Sequence, residues 1–486
     1  MSLKGALARG GAILGAVQVS VLVLRLVRSI VVARLVSPGD YGIAATFALT
    51  LSLLEMVSDL GPNQLLLQAP DGDRPEMQES AQALQFLRGL GMGAVLLALA
   101  DAIAGWAFQT PQAAWAFRWL ALVPVLRGLG HMDPVRMQRD LRFGAHAWAT
   151  VSGQIAATTA AWPLAWWCRD YSAMLWITVT EAAVTVAAGH LLSERSYRWS
   201  WRRDMFARFG AFGWPLLVNG LVMYLAMSGD RVAVGRLFGM EALGAYTVAF
   251  SLASLPASFI GSISVSLFLP VLAKVKSEPE LFGRRYAFVS AQMAAVAICV
   301  TIPLILLGGV LVKMLYGLRY AEAGVLAGWL GAAHGLRILR MGSIVGSLAM
   351  GDSRNSMFAG AMRVPCLVLA AVLCFAVDLP LIWFPVFACA GEALGLVYSA
   401  GRLHRRYGVL WVWSIAPATI GVAAMALGGL VSRAVVPTGS IVVMVLATAM
   451  IVVCGCSAIV IASLGRRQDR WSFLQALSRA FHWAGA

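Results

Sequence analysis

Apolar segments of bilayer length follow one another along almost the whole chain, and they constrain the fold more than any other feature of the sequence. About fourteen can be counted, each near the roughly 20 residues that a helix needs to cross a membrane. Their backbone must be hydrogen-bonded within the protein, so they are helices. We therefore predict an all-α polytopic membrane protein, with spans at 10–33, 41–66, 83–106, 113–132, 144–167, 172–192, 207–234, 241–270, 286–311, 321–349, 357–377, 380–400, 409–432 and 440–463.

The composition supports this fold class. Hydrophobic residues make up 60% of the 486 and charged residues only 13%, whereas about a quarter of an ordinary soluble domain is charged. The first apolar run is longer than the core of a signal peptide, and no small-residue cleavage site ends it. We expect it to remain in the protein as a span.

Basic residues are distributed unevenly between the two sets of connections. With the N-terminus inside, the inner connections carry most of the Lys and Arg, which by the positive-inside rule places both termini in the cytoplasm. This topology explains most of the net charge of +15, so nucleic acid is not expected as a partner. The inner groups are Arg136, Arg139 and Arg142; Arg195, Arg198, Arg202, Arg203 and Arg208; Lys274, Lys276, Arg284 and Arg285; Arg402, Arg405 and Arg406; and Arg466, Arg467 and Arg470.

A weak internal repeat indicates two halves. "ARLVSPGDYGIAATFA" at 33–48 aligns with "GRLFGMEALGAYTVAF" at 235–250, a shift of six spans. Parallel repeats of this kind are a transporter architecture. The predicted domains are an N-terminal lobe (1–193), a cytoplasmic linker (194–206), a C-terminal lobe (207–400), two further spans (401–463) and a cytoplasmic amphipathic tail (464–486).

Charged residues lie inside the spans, although a charge in hydrocarbon costs a few kcal/mol or more. At 1.5 Å per residue, Arg25 of span 1 and Arg118 of span 4 fall at one level in the outer half. Glu55 of span 2 and Arg127 of span 4 fall at one level in the inner half. We predict an ion pair between Glu55 and Arg127, with a cationic level formed by Arg25 and Arg118 beyond it.

The buried charges are the candidate site residues, with two interpretations open: a substrate or coupling role, or structural salt bridges. Arg88 and Arg363, near span ends, are instead expected to extend to the membrane surface. The candidates for substrate binding are Arg25, Arg28, Arg118, Arg127 and Arg337, and those for ion coupling are Glu55, Asp59, Glu181, Asp230 and Glu392.

No pattern of catalytic residues emerges from the sequence. There is no phosphate-binding glycine-rich loop with a lysine, and the seven cysteines and six histidines have no metal-ligand spacing. We expect no enzyme activity, no cofactor and no metal.

The segment "RLVSPGDYGIAATFALTLSLLEMVSDLG" at 34–61 resembles the N-terminal signature of the polysaccharide transporter family, the O-antigen and exopolysaccharide repeat-unit flippases of the multidrug/oligosaccharidyl-lipid/polysaccharide exporter superfamily. A similar segment, "GDRVAVGRLFGMEALGAYTVAFSLASLP", begins the second half at 229–256. The chain departs from the family pattern at Gly39 and Pro62. The matching signature residues are Leu35, Pro38, Asp40, Tyr41, Gly42, Asp59, Leu60 and Gly61.

The resemblance implies two six-helix lobes around a central cavity, in the inner membrane of a bacterium. It also implies a substrate, a polyprenyl-diphosphate-linked oligosaccharide, moved to the periplasmic leaflet by alternating access with H⁺ or Na⁺ coupling. A polysaccharide polymerase and a chain-length regulator are the implied partner proteins. Guanidinium groups suit the diphosphate because they bind phosphate oxygens in pairs and stay charged in a membrane.

Three other functions are weighed against this one. A drug/cation antiporter of the same superfamily favours an acidic cavity, whereas the deep charges here are mainly basic. A membrane glycosyltransferase or polymerase requires a large outer loop with polar residues, and the outer connections are short. A scaffold that transports nothing needs no charges within its spans.

Overall fold

The computed structural model describes residues 3–464, which are almost entirely helical and contain no strand. The all-α fold class is confirmed. Residues from 465 onward, which make up almost all of the predicted amphipathic tail, lie outside the described part of the chain. Contacts divide the chain into two compact units, Met1–Gly244 and Ala245–Ala486. The predicted lobe and linker boundaries, which divide the chain near residue 200, stay predictions.

In the first unit, long helices alternate with short ones that form the connections. A π-helical turn, Ile103–Ala107, extends α4, and single 3₁₀ turns, Pro111–Ala113 and Gln138–Asp140, follow later. The α-helices are α1 (Leu3–Leu35), α2 (Pro38–Ser58), α3 (Pro62–Gln68), α4 (Pro75–Ala102), α5 (Ala114–Leu120), α6 (Leu122–Gly128), α7 (Asp133–Met137), α8 (Gly144–Cys168), α9 (Ser172–Leu191) and the first part of α10 (Arg203–Ala273).

The second unit contains the remainder of α10 and seven further helices. Single 3₁₀ turns lie at Leu318–Tyr320 and Val436–Thr438. The helices are α11 (Pro279–Tyr316), α12 (Ala323–Ala349), α13 (Ser353–Ala361), α14 (Arg363–Val377), α15 (Trp383–Tyr407), α16 (Trp411–Val435) and α17 (Ile441–Leu464).

Ten described helices are long and apolar enough to cross a membrane. One of them, α10, has 71 residues and is interrupted at Gly239, whose φ of 84° is available to glycine without strain. At 1.5 Å per residue this helix is about three times as long as a bilayer is thick. It is therefore long enough to cross a membrane more than once, and the total of fourteen spans stays a prediction.

Local sequence explains how the signature segment folds. Ser37 caps α2 by accepting the backbone N–H of Asp40 at 3.1 Å, and Pro38 occupies the first turn. After α2 the Asp59 carboxylate accepts the backbone N–H of Gly61 at 3.0 Å, and Gly61 adopts a left-handed φ of 66° before α3 begins. The D-L-G motif is thus a turn between two helices.

The fourth predicted span, 113–132, is not a continuous helix. It consists of a 3₁₀ turn followed by α5 and α6, and it ends at Gly128. Pro124 accounts for the break, because proline has no N–H to donate to the carbonyl of Leu120. The helical segment at this position therefore ends four residues before the predicted end of the span.

Each unit has its own apolar core. In the first, Phe47 of α2 and Phe117 of α5 meet edge to face at 5.1 Å between ring centroids, within a cluster from α2, α4, α5, α6 and α9. In the second, Ile298 of α11 and Leu339 of α12 lie in a cluster that also includes α16 and α17. Several helices that carry charged side chains, among them α2, α6 and α9, thus take part in these apolar cores.

Residues 193–202, here called the strap, lie between α9 and α10 and are bound to the first unit. The Asp133 carboxylate accepts the backbone N–H groups of Glu194 at 2.7 Å and Arg195 at 3.2 Å. The Gln82 side chain donates to the carbonyl of Arg198 at 2.7 Å, and Trp199 stacks on Phe86. Contacts to α4 and α7 therefore fix the strap.

A further ion pair ties α10 to the same end of this unit. Arg208 donates to both oxygens of Asp71, at 2.7 and 2.8 Å. These hydrogen bonds lower the pKa of the Asp71 carboxyl to about 2, so the carboxyl stays ionised at neutral pH. The start of α10 is thereby joined to the loop that precedes α4.

Candidate functional site

A charged cluster in the first unit joins α1, α8 and α9. Arg28 of α1 donates to one oxygen of Glu181 of α9 at 2.6 Å, and Gln154 of α8 donates its side-chain amide to the other at 2.7 Å. The Arg28 and Glu181 side chains are largely buried. This ion pair was not predicted, since Arg28 and Glu181 were only separate candidates, and Gln154 was not a candidate.

Arg25 lies on α1 one turn before Arg28, and its side chain is exposed. It forms neither a hydrogen bond nor an ion pair with any residue in the range 3–464. The charges that act most on it are those of Glu181, Arg28, Arg127 and Glu55, in that order. Arg25 is therefore an unpaired cation beside two paired ones.

The predicted ion pair between Glu55 and Arg127 is confirmed. Glu55 of α2 accepts a hydrogen bond from Arg127 of α6, and the two side chains are 38% and 36% exposed. They line a cavity of about 320 Å³ between α2, α4 and α6, together with Met56, Asp59, Gln85, Arg88, Gly89, Met92 and Gly128. The pair is thus accessible from the cavity.

The expectation that Arg88 extends to the membrane surface is wrong. Its guanidinium donates to the carbonyl of Glu55 at 2.7 Å and to the hydroxyl of Ser58 at 2.9 Å, and it lies 3.6 Å from the Asp59 carboxylate. Arg88 of α4 faces the end of α2, where these groups offer it better hydrogen-bond acceptors than lipid does. Asp59 therefore has structural partners in the turn after α2 and in α4.

The other predicted level, Arg25 with Arg118, is not formed. Arg118 of α5 donates to both oxygens of Asp101 of α4 at 2.8 Å, and its side chain is 51% exposed. The charges that act most strongly on Arg25 do not include that of Arg118. Depth alone could place the two at one level but could not show which faces of α1 and α5 they occupy.

Asp230 lies elsewhere in this unit, fully buried, and its carboxylate accepts the backbone N–H of Arg231 at 2.9 Å.

The second unit has a separate charged cluster around Glu392 of α15. Arg340 of α12 donates to one Glu392 oxygen at 2.8 Å, and Arg363 of α14 lies 3.8 Å from the other. All three side chains are 5–7% exposed. The expectation that Arg363 extends to the membrane surface is therefore wrong, since the helix face that carries it packs against α15.

Arg337 lies one turn before Arg340 and forms no ion pair within the described residues, although the charge of Glu392 acts on it.

The two clusters differ in charge and exposure. In the first unit the paired side chains are 14–38% exposed and Arg25 is unpaired, whereas in the second two arginines share one carboxylate and all three side chains are buried. Within residues 3–464, no group of three or more His, Cys, Asp or Glu side chains is placed to hold a metal ion. The first arrangement offers cations to an anionic ligand, and the second has the burial of a structural element.

The fold is that of known membrane transporters. The solved structure of lipid II flippase MurJ in an inward closed conformation has a TM-score of 0.69 at 12% identity and covers 93% of this chain and 100% of its own. An inward-facing MATE family multidrug transporter of the MOP superfamily has a TM-score of 0.65 at 13% identity, covering 85% and 98%. At such identities the likeness shows the fold alone, a polytopic transporter fold.

Sequence comparison gives the family. The model of the family described as polysaccharide biosynthesis protein matches residues 31–324, more than half of the chain, and the chain belongs to this family. The lipopolysaccharide biosynthesis protein WzxC of Escherichia coli K12 is 22% identical over 75% of either chain. The teichuronic acid biosynthesis protein TuaB of Bacillus subtilis 168 is 23% identical over 59% of either chain. The resemblance seen in the signature segment is confirmed.

Proposed function

We propose that this protein is a flippase that moves polyprenyl-diphosphate-linked oligosaccharides from the cytoplasmic to the periplasmic leaflet of the bacterial inner membrane. Its product supplies polysaccharide synthesis, with a polymerase and a chain-length regulator as partner proteins. The family supports a role in polysaccharide biosynthesis, and the transporter fold supports movement across the membrane rather than an enzymatic step.

The observation that carries this proposal is the unpaired Arg25 among the paired charges of the first unit. An arginine within a span is expensive and is normally paired. A diphosphate offers oxygens that guanidinium groups bind with strong, charge-assisted hydrogen bonds. Arg25 is then the first contact for the diphosphate, with Arg28 and Arg127 beside it. Substrate roles for Arg118 and Arg337 stay predictions.

Glu55 is the proposed coupling group. When the diphosphate approaches Arg127, it competes with Glu55 for the guanidinium, and a carboxylate that loses its cation binds a proton more readily. Glu55 is accessible from the cavity, so H⁺ or Na⁺ can reach it. Glu181, Asp59, Asp230 and Glu392 have structural partners, and coupling roles for them stay predictions.

A reconstituted assay tests the proposal. Purified full-length protein in liposomes should move an undecaprenyl-diphosphate-linked oligosaccharide between leaflets, measured as the fraction accessible to an added lectin. Liposomes without protein and liposomes with the Arg25→Ala variant should show only the slow background rate. Equal rates in all three preparations, or transport of a cationic drug and not of the lipid-linked sugar, would contradict the proposal.

The orientation is tested by labelling. Single cysteines at Ser196 in the strap and at Arg319 after α11 should differ in intact spheroplasts treated with an impermeant thiol reagent, in a background without the native cysteines. We expect label only at position 319, because positive-inside topology places the strap in the cytoplasm. Label at position 196 alone would reverse the proposed orientation and with it the direction of transport.

A further inference from the structure

We infer that Gln154 is a positioning residue that keeps Arg25 free for the substrate by occupying the carboxylate oxygen of Glu181 with which Arg25 would otherwise pair. This inference rests on the proposed function. It assigns to α8 a role in the proposed diphosphate-binding site formed by Arg25, Arg28 and Arg127, here called the anion site, to which α8 contributes no charge of its own.

Both oxygens of Glu181 are occupied. Arg28 donates to Oε2 at 2.6 Å, and Nε2 of Gln154 donates to Oε1 at 2.7 Å. A carboxylate only accepts hydrogen bonds, so the amide of Gln154 must present its N–H₂ group to Glu181, and its orientation is fixed. Each oxygen of Glu181 therefore already has a donor, a cation on one side and a neutral amide on the other.

Arg25 is the cation that this arrangement excludes. Arg25 and Arg28 are three residues apart and share one face of α1. Of all the charges near Arg25, that of Glu181 acts on it most strongly. A single carboxylate can bridge two guanidinium groups, as Glu392 shows by lying between Arg340 and Arg363 in the second unit. At Glu181 the neutral amide of Gln154 occupies the position that the second guanidinium group has at Glu392.

The surroundings of Gln154 hold it in this position. The preceding residue, Gly153, lies so close to α9 that a Cβ there would overlap the hydroxyl of Thr185, which brings α8 and α9 together at the level of Glu181. Thr158, one turn after Gln154, donates to the carbonyl of Leu24 at 3.2 Å and so ties α8 to α1 next to Arg25. The close approach leaves Gln154 only 3% exposed.

The carbonyl oxygen of the Gln154 side chain indicates that this glutamine does not serve to stabilise the fold. Its Oε1 is buried and has no hydrogen-bond partner among the described residues. A buried acceptor without a donor is destabilising. The side chain is therefore explained by what its N–H₂ group does to Glu181 and, through it, to Arg25.

Loss of the amide should neutralise the anion site. In Gln154→Met, which has a similar volume and no donor, Oε1 of Glu181 becomes available and captures Arg25. Binding of farnesyl diphosphate to the purified full-length protein in detergent should weaken by at least about tenfold, the loss expected for one hydrogen bond to a charged group. Additional Glu181→Gln should restore binding to within about threefold of wild type, because a neutral amide oxygen attracts a guanidinium group far more weakly than a carboxylate does.

The comparison separates positioning from structural damage. If the only effect of Gln154→Met were disturbed packing, the double variant would bind as weakly as the single one or more weakly, and the inference would be wrong. Should Gln154→Met not fold, Gln154→Asn, which is one methylene too short, replaces it with the same expected pattern. The control Asp204→Asn, which removes a carboxylate from the exposed Arg202–Asp204 pair, should change nothing.

Failure of the proposed function has a different signature. If wild-type protein binds farnesyl diphosphate no better than farnesol, there is no diphosphate site, and the proposed function is contradicted in its substrate. If wild type binds the diphosphate but Gln154→Met binds it equally well, the proposed function stands and the positioning role of Gln154 is refuted.

Discussion

Replacing Arg25 by alanine should abolish polysaccharide export while leaving the amount of protein in the membrane unchanged. Arg25 is exposed and has no partner among the described residues, so its removal leaves no buried charge uncompensated. Its proposed contact with the diphosphate, in contrast, is lost entirely. Export is measured as surface polysaccharide in cells that have only the variant, and the amount of protein by immunoblot of the membranes.

Arg25→Lys is the matched control for geometry. It keeps the charge but replaces the planar fork by a point charge, so partial export is expected. Normal export by both variants would show that Arg25 does not contact substrate. An equal loss in both variants would mean that the paired hydrogen bonds of the guanidinium are essential and that charge alone is insufficient.

Replacing Glu392 by glutamine should strongly destabilise the protein. It removes the carboxylate that two largely buried guanidinium groups face. Breaking a buried ion pair in this way costs about 3–5 kcal/mol. For a unit of this size we expect the melting temperature in detergent to fall by roughly 10 °C.

The same substitution at Glu55 provides the comparison. Glu55 and Arg127 are each more than one third exposed, and exposed pairs contribute only about 0–1 kcal/mol. Glu55→Gln should therefore lower the melting temperature by a few degrees at most. A larger fall for Glu55→Gln than for Glu392→Gln would reverse the assignment of the second cluster as structural and the first as functional.

Depth along a helix was predictable from the sequence, and rotation about its axis was not. The Glu55–Arg127 pair could be anticipated because the rise of 1.5 Å per residue places both side chains at one level. The partners of Arg28 and Arg118 could not, because they depend on which helix faces which. The prediction that Arg25 and Arg118 form one cationic level was wrong for this reason, since Arg118 faces Asp101 on α4.

Position near the end of a span was a poor guide to exposure. Arg88 and Arg363 were expected to extend to the membrane surface because both lie close to span ends. Each instead faces a neighbouring helix that offers acceptors, the end of α2 for Arg88 and Glu392 for Arg363. Small residues could have given a signal, since Gly391, beside Glu392, lies so close to the Arg363 backbone that a Cβ there would be 2.9 Å from its Cα.

The fixed strap has a consequence for how the protein is made. Through the strap and the Arg208–Asp71 ion pair, the beginning of α10 is bound to helices that precede it in the chain, and the first unit ends only at Gly244. All contacts within this unit join residues that have left the ribosome once residue 244 has emerged. The anion site can therefore be complete, with its charges paired, while the second half is still being synthesised, in keeping with the N-terminal-first folding of large chains.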